Sequence, residues 1–194
     1  MKRRPLIRNV IGVALFTGVS GCISTGDNSE EETENESDTP TITTNNAGLK
    51  TKAVVNYQSG YNSLDSSKET LNTYLDSYDQ ENYSLVVTGL ENFEETMDEV
   101  ASSFADAADG AEKVGDTKVM EAALAGEREA KAIGDAGTSL KKSAEEAQKE
   151  NWDDADEYLA EAETSLETAK EEHKDVMKAS KVEERLMPQH QTTV

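Results

Sequence analysis

Between Val54 and Ser180, apolar and small residues return every three or four positions, the spacing that gathers them on one face of a helix. The first stripe runs Val54, Tyr57, Tyr61, Leu64, Lys68, Leu71, Leu75 and Tyr78. The second runs Val86, Leu90, Phe93, Met97, Val100, Phe104, Ala107, Ala111 and Val114. The third, Val119, Ala123, Gly126, Ala130, Ile133, Gly137, Leu140, Ala144 and Ala147, is mostly Ala and Gly. The fourth runs Ala155, Leu159, Ala162, Leu166, Ala169, His173, Val176 and Ser180. Each stripe covers about 30 residues, so the pattern predicts four helices of roughly 45 Å at a rise of about 1.5 Å per residue.

The breaks at Asp79-Gln80-Glu81-Asn82, Gly110 to Asp116 and Glu150-Asn151 are short, which forces neighbouring helices to run antiparallel. Asn82, Asp116 and Asn151 have the side chains of N-caps, and Pro188 marks the end of the last helix. The expected fold is therefore all-α, an antiparallel up-down four-helix bundle over 47–187, with 188–194 as a tail. The third helix is expected to be the least stable, because Ala and Gly remove little apolar area from water. Gly126, Gly134 and Gly137 add a propensity cost of up to about 1 kcal/mol each.

An internal echo links Glu81-Asn82-Tyr83, followed by Leu90 and Met97, to Glu150-Asn151-Trp152, followed by Leu159 and Leu166. The offset is 69 residues (150 − 81), which suggests two related hairpins and, with them, a homodimer in which the hairpins complete each other's cores. Glu150-Asn151-Trp152-Asp153-Asp154-Ala155 also resembles the inter-helix turn of a tetratricopeptide repeat. The helices are too long for that family's unit, so the likeness stops at hairpin chemistry.

Ahead of the helices, residues 1–21 have a basic start, a short apolar stretch from Val10 to Val19 broken by Gly12 and Gly18, and small residues before Cys22, the layout of an export signal. Lys2-Arg3-Arg4-Pro5-Leu6-Ile7-Arg8 resembles the twin-arginine export consensus, with Arg3 and Arg4 as the pair and Leu6 and Ile7 in its apolar positions. Val19-Ser20-Gly21-Cys22 resembles a lipobox, which implies cleavage before Cys22 and lipid on its sulfur. The two motifs with the acidic composition resemble a twin-arginine-exported lipoprotein of halophilic archaea. That resemblance implies a protein held by lipid at Cys22 on the outer face of the cell membrane. Residues 22–46 hold acids, Ser and Thr but no basic residue and are expected to form a disordered tether with a reach of roughly 25 Å.

Charge narrows the partners. The chain has 19 basic and 40 acidic residues; without the four basic residues of 1–21 the balance is 15 − 40 = −25. Phosphates would be repelled, which argues against a nucleic-acid partner. Near 1 M salt the screening length falls to about 3 Å, and self-repulsion on this scale is largely removed.

Candidate chemistry is sparse. The single cysteine excludes an internal disulfide, and a Glu-x-x-His pair for a di-iron site is missing because position 170 is Lys170. No catalytic residues, metal site or cofactor are expected, since no nucleophile, base and orienting group can be assembled from motifs. His173 on the fourth stripe reads as a partly buried core histidine. Asn35 and Asn82 begin glycosylation sequons. An up-down path places the two Glu-Asn-aromatic turns at the end away from Cys22, gathering Tyr74, Tyr78, Tyr83, Trp152 and Tyr158. These rings either plug the bundle end or form a contact patch for a protein or glycan, with Tyr78, Tyr83 and Trp152 as its centre. The expected role is a cell-surface interaction or structural module that is not an enzyme. The alternative is a lipoprotein that binds a small ligand or cation for a transporter or envelope complex.

Overall fold

The computed structural model describes residues 42–187. Its regular elements are six helices: α1 (Ile42–Asp79), α2 (Tyr83–Gly89), α3 (Phe93–Lys113), α4 (Thr117–Gln148), α5 (Trp152–His173) and α6 (Ala179–Leu186). The fold is all-helical, with no strand among the described residues. None of the described helices is long and apolar enough to cross a membrane. α1 begins at Ile42, ahead of the boundary at 47 expected from the stripe pattern.

Side-chain pairings show how the helices run. Gly60 sits against Phe104, Gly110 against Ala53 and Gly89 against Tyr74, so α1 is antiparallel to the α2–α3 path. Gly126 sits against Phe104, Gly134 against Met97 and Gly137 against Phe93, so α4 is antiparallel to α3. Ser143 bonds Ala155 while Glu129 meets His173, so α5 is antiparallel to α4. The turns at 80–82 and 149–151 therefore share one end, the turn end, and the turn at 114–116 lies at the opposite end.

α4 is the central helix, packed against both α3 and α5. One face, through Ala123, Gly126, Ala130, Ile133 and Gly137, is buried against α3; a second, through Ala122, Ala125, Glu129, Ala132 and Ala136, is buried toward α5. Small side chains on two faces let both neighbours come close, and the burial of many atoms replaces the area that large side chains would supply. The Phe104 ring fits because Gly126 has no Cβ: one placed there would lie 2.6 Å from the ring.

Two of the four expected helices are broken. The second divides into α2 and α3 at residues 90–92, just after Gly89, where an added Cβ would lie 2.1 Å from the Tyr74 ring. The fourth ends at His173 and resumes as α6, so Val176 and Ser180 do not continue its stripe. In between, the N–H groups of Lys174, Asp175 and Val176 bond three residues back, to Glu171, Glu172 and His173, which winds the chain too tightly to continue the helix. The break carries the chain from α4 to α1: α6 packs on α1 with Val182 and Leu186 buried, whereas the backbones of α1 and α5 barely approach each other.

All three reversals are the same turn. The N–H of Glu81, Gly115 and Glu150 bonds the carbonyl of Tyr78, Glu112 and Ala147, and the next N–H, of Asn82, Asp116 and Asn151, bonds Ser77, Ala111 and Glu146. This is the Schellman closure, which requires a left-handed residue in its fifth position. Gly115 supplies it at φ 77°, but Glu81 and Glu150 adopt φ 63° and 60° with a side chain attached. Asn82, Asp116 and Asn151 precede the next helices as expected, yet only Asp116 caps with its side chain, accepting from the Val119 N–H at 3.2 Å.

A left-handed residue with a Cβ costs about 1–2 kcal/mol that glycine avoids. Glu81→Gly and Glu150→Gly are each expected to stabilise the protein by about 1 kcal/mol, raising Tm by roughly 2–4 °C in molar salt. A fall in Tm would show that these glutamates make compensating contacts.

Candidate functional site

The turn end brings together the three aromatic residues singled out by the sequence. Tyr78 closes α1, Tyr83 opens α2 and Trp152 opens α5. Tyr78 and Tyr83 meet edge to face at 5.1 Å between centroids, and Tyr83 and Trp152 lie 6.3 Å apart with rings tilted by 60°. The inner end of this row is tied down. The Ser143 hydroxyl donates its one proton to the Ala155 carbonyl at 2.7 Å, so the Tyr78 hydroxyl, 2.7 Å from Ser143 Oγ, is the donor there. The outer end is open: Trp152 is 36% exposed. Tyr74 and Tyr158 are not part of the row. Tyr74 packs over Gly89, and the Tyr158 ring faces the Lys142 ammonium at 5.7 Å.

Asn82 stands exposed in the turn before Tyr83. Asn151, its counterpart, donates through Nδ2 to Glu146 and Asp154, which braces the turn below Trp152. Cys22, Arg3, Arg4, Leu6, Ile7 and Asn35 lie outside the described residues.

A second cluster occupies the middle of the molecule, where α1, α4 and the end of α5 meet. Glu129 is 1% exposed and its carboxylate takes the Lys68 ammonium at 2.5 Å and His173 Nδ1 at 3.1 Å. Nδ1 lies 3.1 Å from both carboxylate oxygens, so it carries the proton and donates; its 3.3 Å approach to Lys68 Nζ is then proximity, not a bond. His173 itself is 46% exposed, at the rim of the molecule rather than in the core. Sequence reasoning placed Lys68 and His173 on their stripes but missed Glu129. The available signal was a lone charge in the second small-residue run of α4, Ala122, Ala125, Glu129, Ala132 and Ala136.

Below this cluster, toward the 114–116 turn, Tyr57 is fully buried. Its hydroxyl donates to the Met177 carbonyl at 2.7 Å and accepts from the Met177 N–H at 2.9 Å. Burial pushes this hydroxyl far above the ordinary phenol range, opposed by the Met177 bond and reinforced by Tyr61 and Glu129. Tyr61 is raised in the same way, by burial first and then by Asp65 and Glu129. Both hydroxyls therefore stay neutral and act as hydrogen-bonding groups. At the far end, burial pushes the Asp116 carboxyl up, but Arg185 at 2.7 Å and the N–H groups of Val119 and Lys118 outweigh it and hold it below its usual range. A carboxyl lowered on folding stabilises the fold above its unfolded pKa, and that contribution is lost as pH falls through the lowered value.

No group of three or more His, Cys, Asp or Glu among the described residues is placed to hold a metal ion. The Glu129 carboxylate already has a cation, the Lys68 ammonium.

Removing one partner of a buried ion pair leaves a charge without compensation, whereas replacing both with apolar groups costs little. Lys68→Met is expected to destabilise the protein by about 2 kcal/mol, somewhat less than a fully buried pair because the Lys68 side chain is 19% exposed. The double variant Lys68→Met, Glu129→Leu is expected to fall within about 1 kcal/mol of the parent in denaturant unfolding. Simple addition of two large losses would show that the pair is not coupled.

No family model, curated protein or solved structure matches the chain.

Proposed function

We propose that this protein is a lipid-anchored module of the cell surface that binds a protein or glycan partner through its turn end and carries out no catalysis. In this reading the six helices trace an up-down four-helix bundle, with α2 and α3 as one bent member and α5 with α6 as the fourth. Arg3-Arg4, Leu6 and Ile7 direct twin-arginine export, and Cys22 carries the lipid. The tether joins the start of α1, at the end opposite the turns at 80–82 and 149–151, and so holds the aromatic row away from the membrane.

The observation that carries this reading is the row Tyr78, Tyr83, Trp152, anchored inside by Ser143 and exposed at Trp152. Tyr and Trp suit recognition because they bring a large rigid surface with little rotamer entropy to lose. Here Tyr78 serves as the plug of the bundle end, while Trp152 presents a contact face. A cation-binding role is less well supported, because the buried carboxylate of Glu129 is paired with Lys68.

Trp152→Ala tests the assignment. Pull-down from the cell surface in molar salt is expected to lose the partner that the parent protein retains, while Tm changes by no more than about 2–4 °C, the effect of roughly 1 kcal/mol. Retained capture with a large drop in Tm would make Trp152 part of the plug and overturn the patch.

A further inference from the structure

The fourth segment is held in two unequal ways on either side of its break. Up to His173 it is fixed to α4: Arg128 Nε donates to Glu172 at 2.7 Å, and His173 meets the buried Glu129 one residue later. Beyond the break, α6 is only eight residues long, lacks a side-chain N-cap and buries two side chains, Val182 and Leu186. A helix of that length is not stable by itself in water, so α6 is helical because it is docked. Its docking combines these two buried side chains, with Met177 and Ala179 packed against the same core, and a few polar contacts. Tyr57 grips Met177 at the entrance, Gln58 donates to Glu183 at 3.1 Å, and Arg185 donates to Asp116 at 2.7 Å. The Gln58–Glu183 and Arg185–Asp116 contacts are exposed and exchange readily for water, unlike the apolar layer between α3 and α4.

We propose that α6 is a detachable latch: it opens as one unit about the 174–178 hinge while α1 to α5 remain folded, and in opening it uncovers the Tyr57 and Gln58 side of α1. The Glu129–His173 contact sets the limit of opening, because the chain before it is pinned to α4. The Tyr57–Met177 pair is the catch, since it supplies both a donor and an acceptor to the backbone of the segment leading into α6. This inference stands independently of the assignment of the turn end.

Amide exchange of the full chain, read residue by residue by NMR in molar salt, tests the latch. The amides of Glu183 to Leu186 are expected to share one protection factor, at least about tenfold lower than those of the α4 interior. Tyr57→Phe is expected to speed all of them by a common factor of about ten, including Leu186 at the far end, since the unit opens together. Ile133→Val, which weakens the body in both open and closed states, should speed exchange in α4 and leave α6 unchanged. Exchange graded inward from Leu186 would mean simple fraying, and α6 amides as slow as those of α4, or sped by Ile133→Val, would mean that α6 opens only with the whole fold. Any of these results overturns the proposal.

Discussion

The Phe104 ring lies between two glycines, Gly60 on α1 and Gly126 on α4, and the rest of the structure depends on that fit. A Cβ at Gly60 would stand 3.0 Å from the ring and one at Gly126 would stand 2.6 Å from it. Three helices thus meet around one aromatic side chain from α3, with α1 and α4 each giving up bulk where the ring needs room. Tyr57 closes the remaining side, meeting Phe104 edge to face at 5.3 Å, and its hydroxyl reaches Met177. One contact therefore sets the spacing of α1, α3 and α4 and also positions the catch that holds α6.

The chain distributes its interactions by type. Apolar packing joins α3 to α4 and α1 to α3, small-residue packing joins α4 to α5, and hydrogen bonds and an ion pair tie α1 to α4 and, beside the buried Val182 and Leu186, to the α6 segment. That last seam has four clasps: Tyr78 with Ser143, Lys68 with Glu129, Tyr57 with Met177 and Gln58 with Glu183. Among the described residues the one buried charged side chain is Glu129, and it is paired with Lys68.

Much of this was legible in the sequence. The stripes through Tyr57, Leu64, Phe104, Met97, Ile133 and Leu166 are buried as the spacing required, and the turns fall where Asn82, Asp116 and Asn151 indicated. The row of Tyr78, Tyr83 and Trp152 follows from pairing those turns at one end. Four features were not visible. The second buried face of α4 was hidden because Ala and Ser are neutral in a periodicity count, and with it the role of Glu129. The break after Gly89 depends on where Tyr74 lands, a contact made across helices. The break after His173 arises from the chain crossing from α4 to α1, which no local pattern signals. The strained Glu81 and Glu150 were hidden for a related reason: glycine marks a left-handed position and glutamate does not.

The Phe104 ring in its glycine gap sets the α1–α3–α4 core. A double-mutant cycle of Gly126→Ala with Phe104→Leu, read by denaturant unfolding in molar salt, tests it most directly. Alanine is the better helix former, yet Gly126→Ala is expected to destabilise the parent by about 1–3 kcal/mol through overpacking. With Phe104→Leu in place, the same change should cost little or stabilise, giving a coupling of at least about 1 kcal/mol. An equal effect of Gly126→Ala in both backgrounds, or a gain in stability from Gly126→Ala alone, would contradict the account.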